Sequence, residues 1–136
     1  MSYTLREHTA DVAVEATGET LDDVFAAVAD GMAAAMCDDV PAGGDRFEFT
    51  VEAESREALL FDHLDQLIYE RDVRGVLPVD NRATVTGDGD RWQVSGSARG
   101  VGFDHVSARD LKAVTYSEMD LSETEDGWHA YVVFDV

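Results

Sequence analysis

Lysine is almost missing from this chain: of ten basic residues only Lys112 is a lysine. Cysteine occurs once, as Cys37, which excludes an internal disulfide and a thiolate zinc centre. Proline occurs twice, as Pro41 and Pro78, each near an expected break between elements. No apolar run is long enough to cross a bilayer. The opening residues Met1-Ser2-Tyr3-Thr4-Leu5-Arg6 lack the basic and apolar regions of a signal peptide. A cytoplasmic protein with no membrane partner is therefore expected. Catalytic signatures are missing as well. There is no HExxH, no phosphate loop and no nucleophile elbow, and nothing around Ser117 suggests a triad.

What is present in excess is negative charge. Twenty-nine Asp and Glu stand against ten Lys and Arg, a formal net charge of −19. Such a surplus repels itself in dilute salt and opposes compaction. At about 1 M salt the Debye length falls to about 3 Å and that repulsion is screened. An acidic surface with one lysine points to a salty cytoplasm, such as that of a halophilic archaeon. The same balance disfavours direct binding of RNA or DNA, because phosphate contacts need clustered Lys and Arg. Hydrophobic residues make up 45% of the chain, enough for a buried core, and 136 residues fit a single domain over 1–136.

The apolar patterning is regular and shows no repeat or linker. Residues 11–16 alternate as a half-buried strand. Thr20 is a good helix cap, followed by Asp22 and Asp23 in a first turn where carboxylates suit the helix dipole. Leu21, Val24, Phe25, Val28, Met32, Ala35 and Met36 recur at helical spacing, so a helix ends near Cys37, itself expected as a small core residue. Residues 47–52 alternate as a second strand. Ser55 caps a second helix with Leu59, Leu60, His63, Leu64, Leu67 and Ile68 on one side, ending near Asp72 or Val73. His63 is expected to be partly buried there. Strands over 79–86 and 91–98 flank the turn Gly87-Asp88-Gly89-Asp90, and strands over 111–121 and 128–134 flank Asp126-Gly127. A loop or short helical turn is expected over 100–110, and an exposed His129 in the last strand. The order is strand, helix, strand, helix, then four strands. The predicted class is α/β (α+β), a two-layer sandwich with two helices packed on one face of a mixed, largely antiparallel sheet.

Two polar clusters invite a chemical reading. Glu7-His8-Thr9-Ala10-Asp11 gathers two carboxylates, an imidazole and a hydroxyl where a strand begins, although a polar strand end needs no function. At the other extreme the residues are Phe134-Asp135-Val136. A terminal carboxylate beside Asp135, with a third carboxylate from a neighbouring strand, would suit a hard cation. The same residues also read as a frayed acidic tail.

The short motifs fit a known pattern. His8-Thr9-Ala10-Asp11, then an alternating strand and a helix opened by Thr20-Leu21, resembles the opening of the archease family. Lys112-Ala113-Val114-Thr115-Tyr116 resembles that family's second signature, and Phe134-Asp135-Val136 its ending. The resemblance spans essentially the whole chain. It departs at Ser117, where many members carry histidine. The resemblance implies a two-layer α/β protein that is not an enzyme. It implies instead a cofactor of the RNA-splicing ligase that joins tRNA exon halves, promoting guanylylation and repeated turnover of that ligase. RNA would be met only through the ligase. The resemblance further implies a divalent cation, calcium in the family, held by Asp11, Asp135 and the main-chain oxygens of Val136. Lys112 would contact the partner or orient the acidic site, with His8 as a further supporting residue. Two other classes stay open on the residues alone: a small metal-dependent hydrolase using Asp11 and Asp135 with His8 as its base, and a general chaperone-like binding module. All of these uses of the site require the two extremes of the chain to meet.

The charge argument carries its own prediction. The thermal midpoint, followed by circular dichroism, should climb steeply as KCl is raised from about 0.1 M to about 1 M and beyond. A flat or falling curve would remove the salt-adaptation reading.

Overall fold

The structure, a computed structural model, describes residues 2–8, 11–37, 39–40, 42–102 and 111–136, with the side chains at 6–8 outside that description. Among these residues lie seven strands and two helices: β1 (Ser2–His8), β2 (Asp11–Gly18), α1 (Leu21–Met36), β3 (Asp45–Ala53), α2 (Arg56–Arg74), β4 (Val76–Asp88), β5 (Arg91–Gly102), β6 (Ala113–Thr124) and β7 (Gly127–Asp135). The strands form a four-stranded sheet, β1-β2-β7-β6, and a three-stranded sheet, β3-β5-β4. Every described ladder is antiparallel. The expected sandwich of two helices against antiparallel strands is what forms, with its strands shared between two sheets.

Local chemistry sets the helix limits. The Asp23 N–H donates to the Thr20 hydroxyl at 3.1 Å, and the Ala58 N–H donates to the Ser55 hydroxyl at 3.1 Å, so both expected caps are used. The last turn of α2 closes on Gly75, whose φ of 66° is the left-handed cap glycine tolerates, and its N–H donates to the Arg71 carbonyl. Gly31, in the middle of α1, has a different use. A Cβ there would stand 2.5 Å from the Val14 side chain, so its absence lets α1 lie close against β2.

The helices supply the shared core. Helix α1 packs on β1, β2 and β7 of one sheet and on β4 of the other. Helix α2 packs on β6 of the first and on β3, β4 and β5 of the second. Phe25, Met32, Leu59, Leu60, Leu64, Leu67, Leu77 and Phe134 are fully buried between them. Cys37 is buried as expected, its thiol donating to the Asp39 carbonyl at 3.0 Å. Asp22 and Asp30 fasten α1 to β4, accepting the Val85 and Asn81 N–H groups at 2.7 and 2.9 Å. The Asn81 contact lies at a register shift between Val79 and Arg82, where Asp80 has φ 48°.

Several details depart from the sequence reading. Strand β1 was not anticipated. Pro78 lies inside β4, an edge strand that tolerates a missing N–H, and not at a break between elements. The loop expected over 100–110 begins as strand through Gly102. Its remainder, 103–110, lies outside the described residues, as do Pro41, Thr9 and Ala10. His63 is buried completely, at 1% exposure, between the rings of Phe25 and Phe49.

Among the described residues neither ring nitrogen of His63 has a hydrogen-bond partner, and burial lowers its pKa to about 4 from 6.5. The folded pKa lies below the unfolded one. Stability is therefore untouched well above pH 6.5, falls as pH drops below it, and stops falling below about 4. His63→Leu should shrink the difference in unfolding free energy between pH 7 and pH 4 by roughly 3 kcal/mol, since each pKa unit is worth about 1.4 kcal/mol. Urea titrations at both pH values measure it, and an unchanged difference would refute the assignment.

Candidate functional site

Strand β7 lies between β2 and β6, and this places the residues singled out in the sequence in one row. His8 faces Asp11 across β1–β2, Asp11 faces Asp135 across β2–β7, and Ala113 faces Asp135 across β6–β7. Directly opposed residues of an antiparallel pair project to the same side. Val12, Val14, Ala130, Val132 and Phe134 point to the helices. Asp11 and Asp135 therefore point to the opposite, outer face, Asp11 half-buried and Asp135 exposed. Val136 follows directly and is half-buried. The His8 backbone is in the row, and its side chain lies outside the described residues.

Lys112 joins the row through its backbone. Its N–H donates to the Asp135 carbonyl at 2.8 Å, and its side chain is exposed. The preceding carbonyl, of Leu111, accepts from Arg71 Nη1 at 2.6 Å. Arg71 is 7% exposed; Nη1 also reaches Met36 Sδ at 3.3 Å, and Nε bonds Asp72 at 3.0 Å. One buried guanidinium thus ties the last turns of α1 and α2 to the segment entering β6. The carbonyl-rich ends of both helices, negative in dipole, lie toward Lys112 and its row. Arg71 was missed in the sequence. Its signal was there: the helical row Leu60, Leu64, Leu67 continues onto Arg71, a charge on an apolar face.

The outer face carries a second polar group further along the same strands. His129 Nδ1 lies 3.0 Å from Asp120 Oδ2, and Nε2 lies 3.1 Å from Glu15 Oε2. The Ser122 hydroxyl donates to Asp120 at 3.0 Å. The His129 pKa is raised, chiefly by the hydrogen bond to Glu15, with burial opposing and Asp120 assisting. A protonated ring donates to both carboxylates and laces β2, β7 and β6 together. His129 is accordingly half-buried and doubly bonded, where an exposed side chain was expected.

Strand β6 is irregular between these groups. Its register to β7 shifts between Thr115 and Asp120, so Tyr116, Ser117, Glu118 and Met119 bulge from the ladder, with Glu118 at φ 56°. The bulge presents Tyr116, stacked flat on Phe61 with ring centroids 4.1 Å apart. Ser117 is exposed. Two hollows lie elsewhere: one of about 460 Å³ beside Glu52, Arg91 and Trp92, another of about 290 Å³ beside Thr17, Glu19 and Trp128. Among the described residues no helix is long and apolar enough to cross a membrane.

The sequence as a whole matches the family model described as the Archease protein family (MTH1598/TM1083), over residues 3–136. The chain belongs to the archease family. It is 35% identical over 136 residues to the archease of Thermococcus gammatolerans, covering 96% of this chain and 95% of that one. It is 31% identical over 140 residues to the archease of Pyrococcus furiosus, again covering 96% and 95%. Among solved structures, protein 1598 of Methanobacterium thermoautotrophicum matches with a TM-score of 0.80 at 26% identity, covering 98% of each chain. An archease of Thermotoga maritima, described as a possible chaperone, matches with a TM-score of 0.61 at 22% identity over 96% of this chain and 94% of that one, a likeness of fold. The archease resemblance read from the short motifs is thus the family of the whole chain.

The role of Arg71 is open to measurement. Arg71→Met keeps bulk and removes the charge-assisted bond to the Leu111 carbonyl. It should destabilise the protein by about 2 kcal/mol. It should also speed amide exchange at Lys112, whose segment loses one of its two anchors. Exchange at Lys112 unchanged from the parent would show that Arg71 does not hold this segment.

Proposed function

We propose that this archease is a metal-binding accessory protein of an RNA-splicing ligase in tRNA exon joining, raising the ligase's guanylylation and turnover without catalysing a step itself. Family membership along the whole chain supports the reading. The observation that carries it is the rung on which Asp11 faces Asp135, with the Lys112 N–H on the Asp135 carbonyl.

The donors at this end of the sheet fit a hard divalent cation. Two carboxylates rise from one rung, main-chain oxygens of Val136 follow, and calcium takes oxygen ligands of this kind. Among the described residues no three His, Cys, Asp or Glu side chains gather as a cage, so the main-chain oxygens are required. When bound, the cation would add positive charge at an otherwise acidic tip. The chain's own residues do the remaining work. Arg71 and Asp135 fix the Lys112 backbone from either side, and the exposed ammonium is free to meet the partner. A compact ammonium suits a small site among carboxylates.

Activation needs only differential affinity. A protein that binds the nucleotidylation-competent form of the ligase tenfold more tightly than the resting form shifts that equilibrium tenfold, or about 1.4 kcal/mol. The formal charge of −19 disfavours direct contact with RNA phosphates.

Ligation of cleaved tRNA halves by the cognate ligase tests the function. With the protein present, product should exceed the molar amount of ligase, and without it product should stop near one turnover. Asp11→Ala should abolish both cation binding and stimulation, and Lys112→Ala should weaken stimulation while leaving the melting temperature unchanged. Equal product with and without the protein would defeat the proposal.

A further inference from the structure

The surface beside Lys112 carries a feature that the cation site does not use. The bulge in β6 turns Tyr116 outward until it is 55% exposed, yet stacks it on Phe61 with an interplanar angle of 6°. Two more apolar side chains stand on the solvent face of α2: Tyr69 is 57% exposed and Val73 is 63% exposed. Helical spacing puts Tyr69 and Val73 on neighbouring turns of that face, toward the end where Arg71 holds Leu111.

Charge identifies what fits there. The solvent face of α2 also carries Asp62 and Asp65. Asp62 has a raised pKa, from partial burial and then from Asp65, and it in turn helps raise the pKa of Tyr116. The arginines of α2 do not neutralise this face. Arg56 lies over Trp92 and Trp128, Arg71 is buried against Leu111, and Arg74 pairs with Glu70 and lies over Phe47. The exposed face of α2 therefore mixes aromatic and acidic side chains, with Asp65 one turn from both Phe61 and Tyr69. The bulge also places Glu118 at a left-handed φ that costs free energy for a non-glycine residue.

We propose that the Phe61–Tyr116 stack, with Tyr69 and Val73 further along the same helix, is the face by which this archease docks on its partner protein, and that the partner meets it with apolar side chains interspersed with lysine or arginine. The proposal rests on the reading of the partner as the RNA-splicing ligase. A second copy of this chain is the poorer occupant, because each copy brings a charge of −19 and the same acidic side chains on this face. Nucleic acid is poorer still, for the same reason. On this geometry the ridge supplies the hold, and Lys112, four residues before Tyr116, links it along β6 to the Asp135 rung.

Binding of the full chain to purified ligase, followed by biolayer interferometry, tests the ridge apart from the function. Tyr69→Ser and Tyr116→Ser should each weaken binding at least fivefold, and the pair at least twentyfold. Tyr116→Phe should bind like the parent. Asp62→Asn with Asp65→Asn should slow association most at low salt. Calcium binding and the melting temperature of Tyr69→Ser should match the parent, which separates docking from folding and from the cation site. Binding of the double tyrosine variant within twofold of the parent would overturn the ridge and leave the proposed function standing. Tight binding by the parent without stimulated ligation would overturn the function and leave the ridge. No binding by the parent would overturn both. A parent dimer in sedimentation that the double variant breaks would give the face to a second copy and overturn the proposal.

Discussion

Strand β7 hydrogen-bonds to β2 on one side and β6 on the other, and the candidate site exists because of that placement. Three stretches far apart in sequence are brought to one rung by backbone pairing. The side chains have little freedom in the matter. Once Val132 and Phe134 are committed to the helices, the period of two commits Asp135 to the outer face. Val12 and Val14 impose the same choice on Asp11. A slip of one residue in the β2–β7 register would turn one of the two strands over, burying its carboxylate and exposing its core side chains, at a cost the fold could not bear. The apolar pattern of two strands therefore holds two acids in position.

The helices add a constraint from the other side. Arg71 reaches through the core boundary to a carbonyl of the segment entering β6, and it touches Met36 at the end of α1. A buried guanidinium is costly unless its hydrogen bonds are met. Here they are met by a carbonyl, a thioether and the Asp72 carboxylate. Packing of the helices and placement of the Lys112 backbone are consequently one problem with one solution. His129 makes a related arrangement on the outer face, where one imidazole bridges two acids on strands either side of it.

Most of the framework was legible because it follows from local patterns. Thr20 and Ser55 start the helices as capping chemistry demands, Cys37 and Gly75 end them, and Gly89-Asp90, within the expected Gly87 to Asp90 turn, joins β4 to β5. What escaped depends on partners distant in sequence. Strand β1 is an exposed edge whose alternation, Tyr3 and Leu5 against Thr4 and Arg6, is too weak to separate from a tail. The division into two sheets follows from which strands pair, and periodicity says nothing about that. The bulge at Tyr116 to Met119 is invisible in a run that reads as continuous strand. Asp11 and Asp135 stand out as parts of two polar clusters, and the motif resemblance joins them in one site. Their opposition across a ladder depends on β2 pairing with β7, and no local pattern in either strand fixes that partner. The Arg71 charge on an apolar helix face was readable and was overlooked. The full burial of His63 was half read: its face was right, but its depth between Phe25 and Phe49 depends on a strand from the other sheet.

Arg56 opens α2 with its guanidinium over both indoles, 5.5 Å from the centre of Trp92 and 5.0 Å from that of Trp128. One tryptophan belongs to each sheet, and the chain has no others. Arg56 and Arg71 stand at the two ends of the same helix, roughly 22 Å apart at 1.5 Å per residue. The protein's natural emission is therefore gathered at the pole remote from the acidic row. Light from the indoles reports whether the two sheets are clasped together and is nearly blind to a change at the acidic row. An optical signal for that event has to come from the tyrosines or from an added dye.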